Sequence, residues 1–185
     1  MATVLVPLAQ GCEELEAITI IDLLRRAGIE VVTAGLDDKP VRAARGTMLI
    51  PDASLGQVLT HSFDMIVLPG GLPGADHLNA DPRIHQLLTS MAAEQKFTAA
   101  ICAAPKVLAR AGRLRGRRAT SFPGAIPEAD LAGVQYLEQP VVVDDKIITS
   151  RGPGTAMDFA LELIEQLAGR VRRDEVEKGL QRPAA

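Results

Sequence analysis

The segment FTAAICAAP, residues 97–105, runs from an apolar strand directly into the start of a helix. Its first five residues are apolar except for Thr98, which predicts a buried strand. Cys102 follows without an intervening loop, and Pro105 suits the first turn of a helix that ends near Gly112. We therefore predict a sharp strand-to-helix turn, a nucleophile elbow, with Cys102 at its tip and the sulfur exposed at the sheet edge.

The rest of the chain alternates short apolar runs with amphipathic stretches, which indicates repeated βαβ units. Such units predict an α/β fold in which residues 1–185 form one domain, with a doubly wound, mostly parallel sheet and helices on both faces. Predicted strands cover residues 3–8, 29–34, 64–68, 97–101, 119–121, 134–137, 141–143 and 147–150; predicted helices cover 13–27, 82–95, 105–111 and 155–168; a hairpin covers 41–50, and a short surface helix follows Gly169. Ligand sites in such folds lie beyond the carboxyl ends of strands, where we predict loops at 11–16, 70–74 and 102–105.

The composition argues against several classes of protein. The formal charge is −3, and the basic cluster Arg113, Arg115, Arg117 and Arg118 is local, so we expect a solvated loop and no nucleic-acid partner. No apolar run approaches the length of a membrane span, and the N-terminal residues lead straight into a strand. We therefore expect a cytoplasmic protein without a membrane partner, in which the two cysteines stay unpaired.

The position of Cys102 gives physical reasons for reactivity. Unpaired N–H groups and the dipole of the following helix stabilise a thiolate. The loop Pro69-Gly70-Gly71 could bring further N–H groups near the sulfur, and with the N–H of Ala103 these could form an oxyanion hole. The alternatives remain open at this point: Cys102 could be a core residue that behaves as a small hydrophobe, and the glycine loop a simple turn.

A nucleophile needs a partner, and the acidic cluster Glu13-Glu14-Glu16 at the start of the first helix is a candidate. A carboxylic acid kept neutral by burial would donate a hydrogen bond to the thiolate, whereas the alternative is favourable charge at a helix N-terminus. We expect the three histidines (His61, His77 and His85) to be solvated, and Cys12 to pack without reacting. Neither a metal-ligand spacing nor a nucleotide-binding fingerprint is present.

Five blocks of sequence carry a family resemblance: residues 11–17 (GCEELEA), 51–55 (PDASL), 67–71 (VLPGG), 99–105 (AAICAAP) and 150–155 (SRGPGT). Together they resemble the ThiJ/PfpI superfamily, and most closely its bacterial YajL-like branch, which is related to a human parkinsonism-associated protein deglycase. The resemblance implies a flavodoxin-like fold, a homodimer and no cofactor.

The same resemblance implies roles for individual residues. It implies Cys102 as nucleophile and redox centre, Glu16 as the protonated acid in contact with it, and the backbone N–H groups of Gly71 and Ala103 as donors around the sulfur. Gly70 and Phe122 would line the pocket. Glu13 and Arg45 would lie in a dimer contact near it.

Two positions depart from better-known relatives. Peptidase-like members carry a histidine directly after the nucleophile, where this chain has Ala103, and the human relative has a pocket histidine where this chain has Phe122. The first departure disfavours a peptidase, and the second leaves the general base open.

The sequence is therefore compatible with three functions. The first is a cysteine-dependent glyoxalase and protein deglycase acting on methylglyoxal, a small reactive aldehyde, and on early glycation adducts of proteins. The second is a redox sensor or holdase chaperone that works through oxidation of Cys102. A cysteine peptidase or amidase is the least favoured.

Overall fold

The computed structural model describes residues 1–182. In chain order the elements are β1 (Thr3–Leu8), α1 (Glu14–Arg26), β2 (Glu30–Gly35), β3 (Val41–Arg42), β4 (Met48–Leu49), β5 (Ala53–Ser54), α2 (Leu55–Val58), β6 (Met65–Leu68), α3 (Gly74–Ala80), α4 (Pro82–Ala93), β7 (Phe97–Ile101), α5 (Pro105–Arg110), β8 (Arg118–Ala119), β9 (Gln135–Tyr136), β10 (Val141–Asp144), β11 (Ile147–Ser150), α6 (Ala156–Ala168) and α7 (Arg170–Gly179). Short 3-10 helices span Glu128–Asp130 and Pro153–Thr155.

A seven-stranded sheet with the order β10-β11-β7-β6-β1-β2-β5 forms the centre of the fold. Its strands are parallel except β10, which pairs antiparallel with β11. The central strands β1, β6 and β7 are almost continuously apolar and buried, as expected for strands covered on both faces. The predicted flavodoxin-like, doubly wound α/β fold is confirmed.

The order of the strands explains why helices cover both faces. From β1 the chain moves through α1 to β2 on one side, whereas from β6 it moves through α4 to β7 on the other. Because crossovers between parallel strands are right-handed as a rule, these opposite directions place α1 and α4 on opposite faces of the sheet. α1 packs against α6, and α3 packs against α4 and α5. The strand order reverses between β1 and β6, and their carboxyl ends define the crevice where ligands bind in such folds.

Most predicted elements are present with boundaries shifted by a few residues, and β1, β7 and β11 have the predicted bounds. The segment 70–74, predicted as a loop, leads directly into α3, which was not predicted. α3 has only seven residues and begins with glycine, so it carries little helical periodicity. The predicted strand 119–121 is shorter, because β8 pairs with β9 in a separate two-stranded ribbon. Among residues 1–182, no helix is both long and apolar enough to cross a bilayer.

Candidate active site

The sharp turn predicted between β7 and α5 is present. Cys102 has a φ of +61°, a left-handed conformation that non-glycine residues seldom adopt. Two neighbouring segments hold this backbone in place: the Cys102 N–H donates to the carbonyl of Ser150 at 2.9 Å, and the Cys102 carbonyl accepts from the N–H of Phe122 at 2.8 Å. The side chain of Cys102 therefore extends from a backbone that these two segments hold in place.

The sulfur is less exposed than the sequence predicts, since only 8% of Cys102 is accessible. Gly152 and Phe122 lie beside it. A Cβ atom built on Gly152 would lie 4.0 Å from the Cys102 Sγ and 3.4 Å from the Phe122 ring. The expectation of an exposed sulfur is therefore wrong, because segments distant in sequence from the elbow pack around it.

Glu16 is fully buried at the start of α1 and lies next to Cys102. Its Oε2 atom accepts a hydrogen bond of 2.8 Å from the N–H of Gly70. Its Oε1 atom is buried and lacks a partner of standard hydrogen-bond geometry within the described chain. The carboxyl group of Glu16 and the thiol of Cys102 lie close enough for each group to shift the pKa of the other.

The glycine loop after β6 is pressed against both partners of this pair. A Cβ atom on Gly70 would lie 2.6 Å from the Cys102 Cβ and 2.7 Å from the Glu16 Oε2. Gly71, with a φ of +90°, approaches so closely that its Cβ would lie 2.5 Å from the Glu13 nitrogen. Only glycine fits at these two positions, and the close approach allows the Gly71 N–H to reach the sulfur.

Burial raises the pKa of Glu16 from 4.5 to about 7, and the nearby charge of Glu13 adds to the rise, whereas hydrogen bonds with Cys102 and Gly70 oppose it. Burial also raises the pKa of Cys102 to about 12, and the charge of Glu16 and its hydrogen bond add to this. The N–H groups of Gly71 and Ala103 lower the pKa of Cys102. The net direction is opposite to the activation that the sequence predicts.

The charge of Glu16 explains part of this difference. Two of the three causes that raise the pKa of Cys102 require Glu16 to be ionised or to accept a hydrogen bond. The two groups therefore titrate as a pair, and between about pH 7 and about pH 12 the pair holds one proton. The atom that holds this proton determines whether Cys102 is a thiol or a thiolate.

Glu13 lies at the N-terminus of α1, in keeping with the alternative that the sequence offered for the acidic cluster. Its Oε2 accepts from the N–H of Glu16 at 2.8 Å and so caps the N-terminus of α1. This fixes the first turn of α1 and thereby the carboxyl group of Glu16. The N–H of Arg45 donates at 2.9 Å to Glu14, which ties the β3–β4 hairpin to the same turn. The dimer contact predicted for Glu13 and Arg45 stays a prediction.

The remaining candidate groups lie outside this arrangement. His77 and His85 bond through their rings to the carbonyls of Gln10 and Asn79. Cys12 is buried, and burial together with the charge of Glu14 raises its pKa to about 12. Among residues 1–182, no three His, Cys, Asp or Glu side chains are grouped so that they could hold a metal ion.

A parallel sheet of this order, with a cysteine elbow facing a buried glutamate, is the arrangement expected of the superfamily that the five sequence blocks resemble. Residues 2–166 match the model of the DJ-1/PfpI family, and the chain belongs to that family. The YajL-like branch stays a prediction.

Individual relatives resemble the chain over nearly its whole length. It is 46% identical over 178 residues to Protein dj-1beta of Drosophila melanogaster, with 95% of each chain covered. It is 37% identical over 179 residues to the glutathione-independent glyoxalase DJR-1.2 of Caenorhabditis elegans, covering 97% of this chain and 95% of that protein.

Solved structures agree with this relationship. The crystal structure of Drosophila melanogaster DJ-1beta superposes with a TM-score of 0.94 at 44% identity, covering 99% of each chain. The structure of oxidized Toxoplasma gondii DJ-1 superposes with a TM-score of 0.92 at 39% identity over the whole of both chains.

Proposed function

We propose that the chain is a cofactor-independent glyoxalase that converts small 2-oxoaldehydes such as methylglyoxal into 2-hydroxy acids. The observation that carries this proposal is the fully buried carboxyl group of Glu16, held by the N–H of Gly70 beside the sulfur of Cys102. The relative from Caenorhabditis elegans that is named a glutathione-independent glyoxalase adds support.

In the active form, the shared proton lies on Glu16 and Cys102 is a thiolate. Burial penalises both anions, but it penalises the compact charge of a carboxylate more than the diffuse charge of the larger sulfur atom, so the buried pair favours a neutral carboxyl group. The N–H groups of Gly71 and Ala103 favour negative charge on the sulfur. With the proton on Glu16, the repulsion between the carboxylate and the thiolate disappears.

The reaction follows from these two groups. The Cys102 thiolate attacks the aldehyde carbon, and the resulting alkoxide takes the proton of Glu16 to give a hemithioacetal. The Glu16 carboxylate then removes the C–H proton of that carbon, and an enediol forms. Return of a proton to the neighbouring carbon yields a thioester on Cys102, which water cleaves to the 2-hydroxy acid and the free cysteine. One carbon is oxidised while its neighbour is reduced, so one water molecule balances the reaction and no electron carrier is needed.

Early glycation adducts of proteins would enter the same route. Such an adduct is in equilibrium with the free aldehyde, and capture of that aldehyde by Cys102 would remove the adduct. Direct repair requires adduct loss faster than its spontaneous dissociation. If adducts are lost no faster than they dissociate spontaneously, the protein only scavenges the free aldehyde and is not a deglycase.

The test is the formation of lactate from methylglyoxal in the absence of glutathione. We expect Cys102→Ser to reduce turnover to the uncatalysed background, and Glu16→Gln to reduce it by at least about 100-fold, because it lacks the group that moves the proton. Cys12→Ser is the matched control and should retain the activity. Full turnover by Cys102→Ser would refute the proposal.

A second function, redox sensing, is favoured by the groups around the sulfur. The N–H groups of Gly71 and Ala103 can stabilise an oxidised, negatively charged sulfur, and a relative has been solved in an oxidized form. The thiolate would take one oxygen from hydrogen peroxide to give the sulfenate and water, and a second peroxide would give the sulfinate and water. Mass spectrometry after peroxide treatment tests this: modification of Cys12 but not of Cys102 would exclude it.

We also propose a homodimer. Leu15 and Ile18 are exposed on α1, and Met48 is exposed on the hairpin that α1 holds. These three side chains would form an apolar contact next to the site. Leu15→Glu should produce monomers in analytical ultracentrifugation, whereas Val171→Glu, at an exposed position of α7, should leave the dimer intact. A monomeric parent protein would contradict this.

Three earlier expectations have less support. Holdase chaperone activity and a cytoplasmic location stay predictions from the sequence. A peptidase is not proposed, since Ala103 follows the nucleophile, and His77 and His85 bond to other parts of the chain.

A further inference from the structure

A small cavity at the amino-terminal end of the sheet is lined by four basic side chains, and we call it the basic cavity. Lys96 comes from the α4–β7 loop, Arg113 and Arg117 from the segment between α5 and β8, and Lys146 from the β10–β11 turn. The remaining lining residues are Ala92, Gln95, Thr98, Asp145 and Ile147. The cavity lies at the opposite end of β7 from Cys102 and is separate from the proposed active site.

The ion pairs of these basic groups leave an excess of positive charge. Lys96 pairs with Glu94 at 2.8 Å. Arg117 pairs with Asp144 at 3.1 Å, and its contact with Asp145 is longer, at 3.8 Å. The Asp145 side chain is more than half exposed. Because solvent screens it, the Asp145 carboxylate neutralises only part of the positive charge of the cavity.

The other two basic groups have no acidic partner within residues 1–182. The Lys146 ammonium lies 3.9 Å from the centre of the Phe97 ring, a cation–π contact that leaves its charge uncompensated. The Nε atom of Arg113 is buried and has no hydrogen-bond partner in the described chain. A buried guanidinium N–H without an acceptor is costly, and such a group is usually satisfied by a water molecule, an ion or a ligand.

We propose that the basic cavity binds a phosphoryl group, with Arg113 as the principal contact. A guanidinium presents its N–H groups in a planar fork that matches the oxygens of phosphate, and lysine adds a point charge. The volume of about 40 Å³ exceeds what one water molecule requires and suits a small polyatomic anion. Neither the sequence blocks nor the proposed glyoxalase reaction uses this site.

Isothermal titration calorimetry with inorganic phosphate, in a chloride buffer, tests this directly. We expect saturable binding to the parent protein and at least about tenfold weaker binding to Arg113→Gln, since hydrogen bonds to charged groups contribute this much. Arg115→Gln, which changes an exposed arginine of the same segment, is the control and should bind like the parent. Equal binding by parent and Arg113→Gln would overturn the proposal, as would the absence of binding to the parent.

Two further measurements complete the test. Glycerol 3-phosphate in place of phosphate distinguishes a monoester site, which accepts both, from a closed site for the free ion, which accepts only phosphate. If Arg113→Gln fails to fold, the Nε–H resonance of Arg113 in the parent still reports the contact. It should shift on addition of phosphate, and an unchanged resonance at saturating phosphate would refute the assignment. Phosphate should leave alkylation of Cys102 unaffected.

Discussion

Glu16→Gln should change how the stability of the protein depends on pH. In the folded chain, burial raises the pKa of Glu16 from 4.5 to about 7, whereas in the unfolded chain this carboxyl group ionises near 4.5. Between these values the unfolded chain releases a proton that the folded chain retains. The contribution of Glu16 to stability is therefore fully present below pH 4.5, and it is lost as the pH rises through about 7, where the pair of Glu16 and Cys102 releases its first proton from either group.

The size of the effect follows from the two pKa values. The difference between 4.5 and about 7 corresponds to on the order of 3 kcal/mol, at roughly 1.4 kcal/mol for each pH unit. Glu16 is fully buried, so solvent screening does not reduce this value. Glutamine does not titrate. The free energy of unfolding of the parent, relative to that of Glu16→Gln, should thus fall by about 3 kcal/mol across this range.

Urea unfolding at a series of pH values measures this difference. Carboxyl groups whose pKa is lowered by their partners, such as Asp52 and Asp144, titrate in both proteins and cancel in the comparison. Glu30→Gln, at an exposed position, should follow the parent at every pH. A constant difference between parent and Glu16→Gln from pH 4.5 to pH 8 would mean that Glu16 ionises normally, and the reasoning would be refuted.

Substitutions of three glycines test the geometry of the elbow. In Gly70→Ala, the new Cβ would lie 2.6 Å from the Cys102 Cβ. We therefore expect the free energy of unfolding, measured in urea, to fall by about 1–3 kcal/mol and the glyoxalase activity to be lost. An unchanged free energy and activity would contradict the close approach. In Gly152→Ala, the new Cβ would lie 4.0 Å from the Cys102 Sγ and 3.4 Å from the Phe122 ring, so we expect the protein to fold. Alkylation of Cys102 should become slower, and the rate with N-ethylmaleimide should fall more than the rate with the smaller iodoacetamide. Gly154→Ala, where the Cβ meets no atom within 4 Å, should alter neither rate, and equal slowing in both alanine variants would rule out a steric effect at the sulfur.

The sheet could be predicted well from the sequence because its strands are short, continuous apolar runs. β7 and the elbow follow from the segment 97–105 alone, since strand, cysteine and proline are consecutive. α3 could not be predicted in the same way. Its start at Gly74 depends on close packing against the backbone of Cys12, a contact between segments distant in sequence.

The site could be predicted in its residues but not in its electrostatics. The sequence identifies Cys102 and the acidic cluster, and the family resemblance selects Glu16. The burial of both groups depends on Gly70, Phe122 and Gly152, which reach the elbow from three other segments. The raised pKa values follow from that burial, and a local pattern carries no information about it.

The position of the shared proton is tested most directly by the ultraviolet absorbance of the Cys102 thiolate as a function of pH, recorded in a Cys12→Ser background with and without Glu16→Gln. If the proton lies on Glu16, the thiolate signal appears at a lower pH than that of an ordinary cysteine and moves to higher pH in Glu16→Gln, because the thiolate loses its acid donor. If the proton lies on sulfur, the thiolate appears only well above pH 9 and moves to lower pH in Glu16→Gln, because the opposing carboxylate charge is removed. The second result would contradict the proposed mechanism.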